Sequence, residues 1–122
     1  MKKTLGMAAL ALALAACGSS GGGGGGNTTL ACNLPTDGGC FEWTMPQASS
    51  AAVQSAFNSS CSNGGGSPVG SCPSASRVGR CTFVDNSGGV ALTEVFSYYS
   101  SHFTTAQAQA DCTGPGYTFT AN

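Results

Sequence analysis

Val78-Gly79-Arg80-Cys81-Thr82-Phe83-Val84-Asp85 leads through Asn86-Ser87-Gly88-Gly89 into Val90-Ala91-Leu92-Thr93-Glu94-Val95-Phe96-Ser97-Tyr98-Tyr99, and this stretch decides the fold. Successive side chains of a strand point to opposite faces. The first run therefore sets Cys81 and Phe83 on one face and Arg80, Thr82 and Val84 on the other. The last run carries Leu92, Phe96 and Tyr98 on one side and Ala91, Thr93, Val95 and Tyr99 on the other. Two alternating runs about a glycine-rich turn predict a β-hairpin. Both of its faces are fairly apolar, so helices are expected over one and partial exposure on the other.

Downstream, Thr104-Thr105-Ala106-Gln107 has the Thr-x-x-Gln spacing of a capping box, in which the Thr hydroxyl and the Gln amide satisfy backbone N–H groups reciprocally. It predicts a short helix to Asp111 or Cys112, with Ala108 and Cys112 on one face and Phe103 as a hydrophobic staple before the cap. Thr113-Gly114-Pro115-Gly116 stops that helix, and Tyr117-Thr118-Phe119-Thr120 alternates like an edge strand. Upstream, Thr44-Met45-Pro46-Gln47 shows the same Thr-x-x-Gln pattern and predicts a helix reaching about Cys61. Val53, Phe57 and Cys61, with Ala56 beside them, form its narrow apolar face. Cys40-Phe41-Glu42-Trp43-Thr44 reads as a short strand, and residues 33–39 carry turn chemistry around Asp37-Gly38. Residues 62–71 read as a glycine-rich loop, least ordered over 63–68. The loop has neither the Gly-Lys-Ser/Thr of a nucleotide-phosphate loop nor a βαβ unit behind it. The expected fold is a small disulfide-rich α+β domain over residues 30–122, with a central hairpin, one or two additional short strands and two short helices.

The first 16 residues carry Lys2 and Lys3, an apolar run over 5–16, and small residues before Cys17. These are the marks of a secretory signal, and the run of about 12 residues falls short of the roughly 20 that a spanning helix needs. Residues 18–29, with Gly18-Ser19-Ser20 and six consecutive glycines from Gly21, read as a flexible tether. Without the leader the chain has no lysine, and Arg77 and Arg80 stand against Asp37, Glu42, Asp85, Glu94 and Asp111. Two arginines are too few for the counterion release that drives nucleic-acid binding, so no nucleic-acid partner is expected.

Leu14-Ala15-Ala16-Cys17 followed by a Gly/Ser tract resembles the lipobox of bacterial lipoproteins. The resemblance implies residues 1–16 as signal peptide, Cys17 as the lipid-bearing first residue of the mature chain, and 17–29 as anchor and tether. It implies diacylglyceryl and N-acyl (palmitate-type) attachment through Cys17, with membrane lipid as a partner. Gly18, where an aspartate would retain the protein at the inner membrane, implies an outer-membrane location. The remainder is similar to short cysteine-rich lipoproteins of myxobacterial type, on Cys72-Pro73, Val78-Gly79-Arg80-Cys81, the Tyr98-Tyr99 strand and an Ala-rich helix ending in Cys112. That likeness bears on location and domain boundary and supplies no site.

Apart from Cys17 there remain Cys32, Cys40, Cys61, Cys72, Cys81 and Cys112. An even number in a small exported domain predicts three disulfides. Six cysteines allow 15 connectivities. Both predicted helices start from Thr-x-x-Gln, follow an aromatic strand and end in cysteine, an internal echo that suggests Cys40–Cys61 and Cys81–Cys112, leaving Cys32–Cys72. Paired C-x₂-C knuckles are absent and His102 is the lone histidine, so neither metal nor cofactor is expected.

Ser101, His102 and Asp111 make a catalytic triad only on paper, since adjacency in sequence says nothing of geometry. The five carboxylates are dispersed, with no spacing that pairs two for glycoside hydrolysis. Asp85-Asn86-Ser87-Gly88 starts like a calcium loop but lacks the later ligands. Trp43, Tyr98, Tyr99 and Tyr117 are the candidate binding residues, because rigid aromatic rings anchor partners and stack on sugars. The expectation is a non-enzymatic lipoprotein domain, periplasmic or at the surface, that binds or supports an envelope protein or polysaccharide. The alternative is an inhibitor or regulator of a hydrolase presenting residues 63–71, and a small hydrolytic enzyme comes third.

Overall fold

A computed structural model describes residues 26–122. The expected leader over 1–16, Cys17 and residues 18–25 of the tether lie outside them. The elements are β1 (Asn27–Leu34), β2 (Gly39–Pro46), α1 (Gln47–Asn63), β3 (Ser67–Val69), β4 (Arg77–Asp85), β5 (Leu92–Tyr99), α2 (Thr105–Asp111) and β6 (Tyr117–Ala121). The strands form one antiparallel sheet in the order β3-β1-β2-β5-β4-β6. The expected hairpin is β4–β5, paired from Asp85↔Leu92 to Arg77↔Tyr99. Around it stand four further strands rather than one or two, so the described domain is mostly β.

The chain makes the same excursion twice. β1-β2-α1-β3 is a hairpin, a helix and a return strand beside the first strand; β4-β5-α2-β6 repeats it. The halves meet where β2 pairs with β5, with Phe41 directly opposite Phe96. One row crosses the whole sheet through that contact: Pro68, Cys32, Phe41, Phe96, Cys81 and Phe119. Residues in one row share a face. Cys32 is bonded to Cys61 at the end of α1 and Cys81 to Cys112 after α2, so both helices lie over that face.

The core fills the space between. Val53, Phe57 and Cys61 of α1 are buried as their spacing predicts. Phe57 lies 5.3 Å from the Phe41 ring and 5.4 Å from Trp43. Under α2, Tyr98 meets Phe96 and Phe103 edge-on at 4.8 and 5.0 Å. Two glycines make room for this packing: a Cβ on Gly39 would meet the Phe96 ring at 2.2 Å, and one on Gly79 the Phe119 ring at 2.4 Å.

The disulfide expectation needs two corrections. Cys81–Cys112 forms, but the other pairs are Cys32–Cys61 and Cys40–Cys72, not Cys40–Cys61 and Cys32–Cys72. Cys40 precedes Phe41 in the same strand, so its side chain points away from the helices and cannot reach α1. The echo between the halves is real, but the counterpart of Cys81 is Cys32.

Three local expectations also change. Among the described residues the first strand already begins at Asn27, where β1 pairs with β2 (Asn27↔Pro46), upstream of the start expected near Leu30 or Cys32. Ser67–Val69, within the glycine-rich loop expected over 62–71, adds a strand to the edge of β1. Thr44 does not cap α1: it is in β2, and its Oγ1 shares a hydrogen bond of 2.8 Å with Thr29. Pro46 takes the N-cap position without a side-chain cap, and the Gln47 N–H donates to the Gly26 carbonyl at 2.9 Å. The residue before a proline is pushed out of the helical region, which keeps Met45 extended and delays the helix. At α2 the box is complete, with Thr104 Oγ1 accepting from the Gln107 N–H and Gln107 Oε1 from the Thr104 N–H.

Candidate functional site

The four candidate aromatics do not come together. Trp43 and Tyr98 are 7% and 3% exposed and belong to the core. This corrects the expectation that they offer rings to a partner. Burial pushes the Tyr98 phenol well above its ordinary range, and the Asp111 charge adds to the effect. It stays protonated and donates to Asp111 Oδ2 at 3.0 Å, tying the end of α2 to β5. Tyr117 is half-buried on the helix side, its ring stacked on Phe83 at 4.7 Å. Tyr99, also half-buried, alternates with Tyr98 and emerges on the opposite face.

That opposite face carries no helix. Its rows run through Thr29, Thr44, Thr93 and Val84; through Ala31, Glu42, Val95, Thr82 and Thr118; and through Asn33, Cys40, Ser97, Arg80 and Thr120. Val84 is 51% exposed, and Thr29, Thr118 and Thr120 are exposed as well. β-branched side chains have restricted χ1 torsions, so these rows form a stiff, hydroxyl-bearing surface.

One segment, residues 70–76, is strapped across part of it. Cys72 is bonded to Cys40, and the Cys72 N–H donates to Glu42 Oε1 at 2.8 Å. The Tyr99 hydroxyl donates to the Pro73 carbonyl at 2.7 Å. The Ser100 N–H donates to the Ser76 carbonyl at 2.9 Å, with Ser76 in the left-handed region at φ 61°. Beneath the strap Cys40 and Ser97 are sealed from water. Burial raises the Tyr99 pKa, with the Ser97 hydroxyl and the Arg77 charge pulling the other way.

Beside the strap the face turns basic. Arg77 and Arg80 are three apart, a spacing that puts side chains on opposite sides of a regular strand. Between Arg77 and Gly79 the register with β5 shifts: Arg77 lies opposite Tyr99 and Gly79 opposite Tyr98. Two steps on β4 match one on β5, as in a β-bulge, which re-aims a side chain. Arg77 thereby joins Arg80 on the strap side. Arg77 Nε donates to Asn122 Oδ1 at 3.1 Å, whereas Arg80 Nε is buried with no hydrogen-bond partner. In the sequence the two arginines read as too few for nucleic acid, and nothing local pairs them. That they are the only Lys or Arg among residues 26–122 was the available signal.

The catalytic candidates are dispersed. His102 Nδ1 shares a 2.9 Å hydrogen bond with Ser101 Oγ, its ring packed on the Gly38 backbone, while Asp111 is engaged by Tyr98. On the helix face Glu94 lies opposite Trp43. Burial raises its pKa, the Trp43 indole opposes the rise, and Asp85 adds to it. Trp43 Nε1 faces that carboxylate without a hydrogen bond of good geometry. The Asp85 carboxylate is held low by the Ser87 hydroxyl and N–H, at 2.6 and 2.8 Å, in the turn after β4. Among the described residues no three metal-binding side chains gather, and no helix is long and apolar enough to cross a membrane. No family model, curated protein or solved structure matches the chain.

Proposed function

We propose that this chain is a lipid-tethered, non-enzymatic binding module of the bacterial outer envelope, and that it makes contact through the helix-free face of its sheet. One observation carries the reading: both helices and nearly all the core aromatics lie on one side, while the other is stiff, hydroxyl-rich and crossed by a covalently fixed strap. A surface fixed before contact loses little entropy on binding. β1 begins at Asn27, directly after the glycine tract in sequence, which supports display on a tether anchored at Cys17. The inhibitor reading is less well supported, because Ser67–Val69 lies along the sheet edge as β3 and does not project as a presented loop.

Two measurements test this. Intact mass of the membrane-extracted chain is expected to show acyl mass on an N-terminal Cys17 and six fewer hydrogen atoms than the reduced chain; a soluble, thiol-bearing product refutes the tether. Co-sedimentation with isolated envelope is expected to fall for Thr82→Glu/Thr118→Glu with the melting temperature little changed. Unchanged sedimentation refutes the contact face.

A further inference from the structure

We propose that Arg77 and Arg80 form an oxyanion site on the helix-free face, and that its occupant is a carboxylate-bearing polysaccharide. The proposal rests on the reading of that face as the contact surface and names what it contacts.

Charge is sorted by face. Both arginines lie on the helix-free side, and of the five acids only Glu42 joins them, its Oε1 already accepting from the strap. Asp85 and Glu94 project to the helix side, Asp37 is in the β1–β2 turn, and Asp111 is bonded to Tyr98. On that face the one carboxylate among the five acidic side chains is thus already engaged by the strap, and both arginines are half-buried.

The arginines are also placed together by the backbone. Ser97 and Tyr99, their opposite numbers on β5, are two residues apart on one face, a separation of about 7 Å. Two guanidinium groups rooted that far apart can engage one carboxylate or two successive ones along a chain, each by a planar fork that matches its two oxygens. Arg80 is already partly desolvated: its Nε is buried and makes no hydrogen bond. Partial burial lowers the local dielectric and strengthens the attraction of its charge for an anion.

The surroundings favour a glycan over a free ion. Thr82, Thr118 and Thr120 flank Arg80 on β4 and β6, so the cations are bordered by hydroxyls suited to sugar hydroxyls. The surface is an open strip across several strands, which are about 4.8 Å apart. Such a strip fits an extended polymer better than an enclosed small ligand.

The test is titration of the full, detergent-solubilised chain with polygalacturonate, with dextran, poly-glutamate and inorganic phosphate as separate arms. The expected result is saturable binding of polygalacturonate that weakens as salt rises, little binding of dextran, and weak competition by phosphate. Arg77→Gln/Arg80→Gln is expected to weaken it about 10- to 100-fold, the range for losing charge-assisted hydrogen bonds. Arg80→Lys, which keeps the charge and removes the fork, is expected to fall between. Each variant is checked for three intact disulfides and an unchanged melting temperature; if the glutamines fail to fold, Arg80→Lys and the salt dependence decide. No binding, or binding indifferent to salt and to both arginine variants, overturns the oxyanion site while the envelope co-sedimentation result still stands or falls by itself. Equal binding of poly-glutamate overturns the glycan and makes the occupant an acidic protein, and tight competition by phosphate makes it a phosphate group.

Discussion

The two halves, β1-β2-α1-β3 and β4-β5-α2-β6, follow one plan, each with a disulfide from its first strand to the end of its helix, and differ in what else holds the helix. α1 has 17 residues, lacks a side-chain cap, and buries Val53, Phe57 and Cys61 against Phe41 and Trp43. α2 has 7 residues and buries only Ala108 within its length. It relies on a complete capping box, the Tyr98–Asp111 hydrogen bond and the Cys81–Cys112 bridge just beyond it. A long helix can be secured by its apolar stripe, whereas isolated helices under about 12 residues are marginal in water. The short one needs its ends fastened.

The comparison breaks most sharply at Phe57. Phe57→Ala is expected to cost about 3–5 kcal/mol in urea unfolding, against about 1 kcal/mol for Ala108→Gly from helix propensity; similar losses would mean that α2 is packed as tightly as α1. Cys81→Ala/Cys112→Ala comes next. The bridge closes a loop of sequence separation 31, worth about 3–4 kcal/mol in the chain-entropy model. Hydrogen exchange should show α2 losing protection while α1 keeps it. Thr104→Ala should cost about 1 kcal/mol, whereas Thr44→Ala should cost clearly less, because its hydroxyl partner Thr29 is exposed and no helix end depends on it. Equal losses would restore the cap at Thr44.

The smallest expected effect concerns the seam between the halves. Glu94 titrates above its ordinary value of 4.5 because it is buried. The folded state therefore holds that proton more tightly than the unfolded chain, and stability declines as pH rises from about 4.5 through the raised value. Glu94→Gln should flatten that decline in urea midpoints measured from pH 4 to 8. An unaltered slope would mean that Glu94 is solvated in the folded protein.

How far the plan was legible follows from these contrasts. The β4–β5 hairpin, the buried stripe of α1 and the cap of α2 are written in local periodicity and spacing. β1 and β3 are not. Asn27-Thr28-Thr29 follows a glycine tract and reads as linker, and Ser67-Pro68-Val69 is too short and polar to announce itself; both become strands only through partners far along the chain. The cysteine pairing turned on which face Cys32 and Cys40 occupy, and that depended on the unseen β1. For the same reason Trp43 and Tyr98 looked available until the helices covered them. The basic pair was hidden more thoroughly, because a register shift at Val78 is a property of two strands and leaves no mark in one.

The bridges have a further consequence. Cys32–Cys61 and Cys40–Cys72 overlap along the chain, and Cys81–Cys112 stands apart. A protease cutting once anywhere from 33 to 71, or from 82 to 111, leaves both pieces chained together. Between Cys72 and Cys81 no such link spans the backbone, and within that gap Pro73-Ser74-Ala75-Ser76 lies exposed before β4 begins. A single incision there would leave the halves joined only by non-covalent contacts, chiefly the seam of β2 and β5, so covalent continuity between them rests on this one gap.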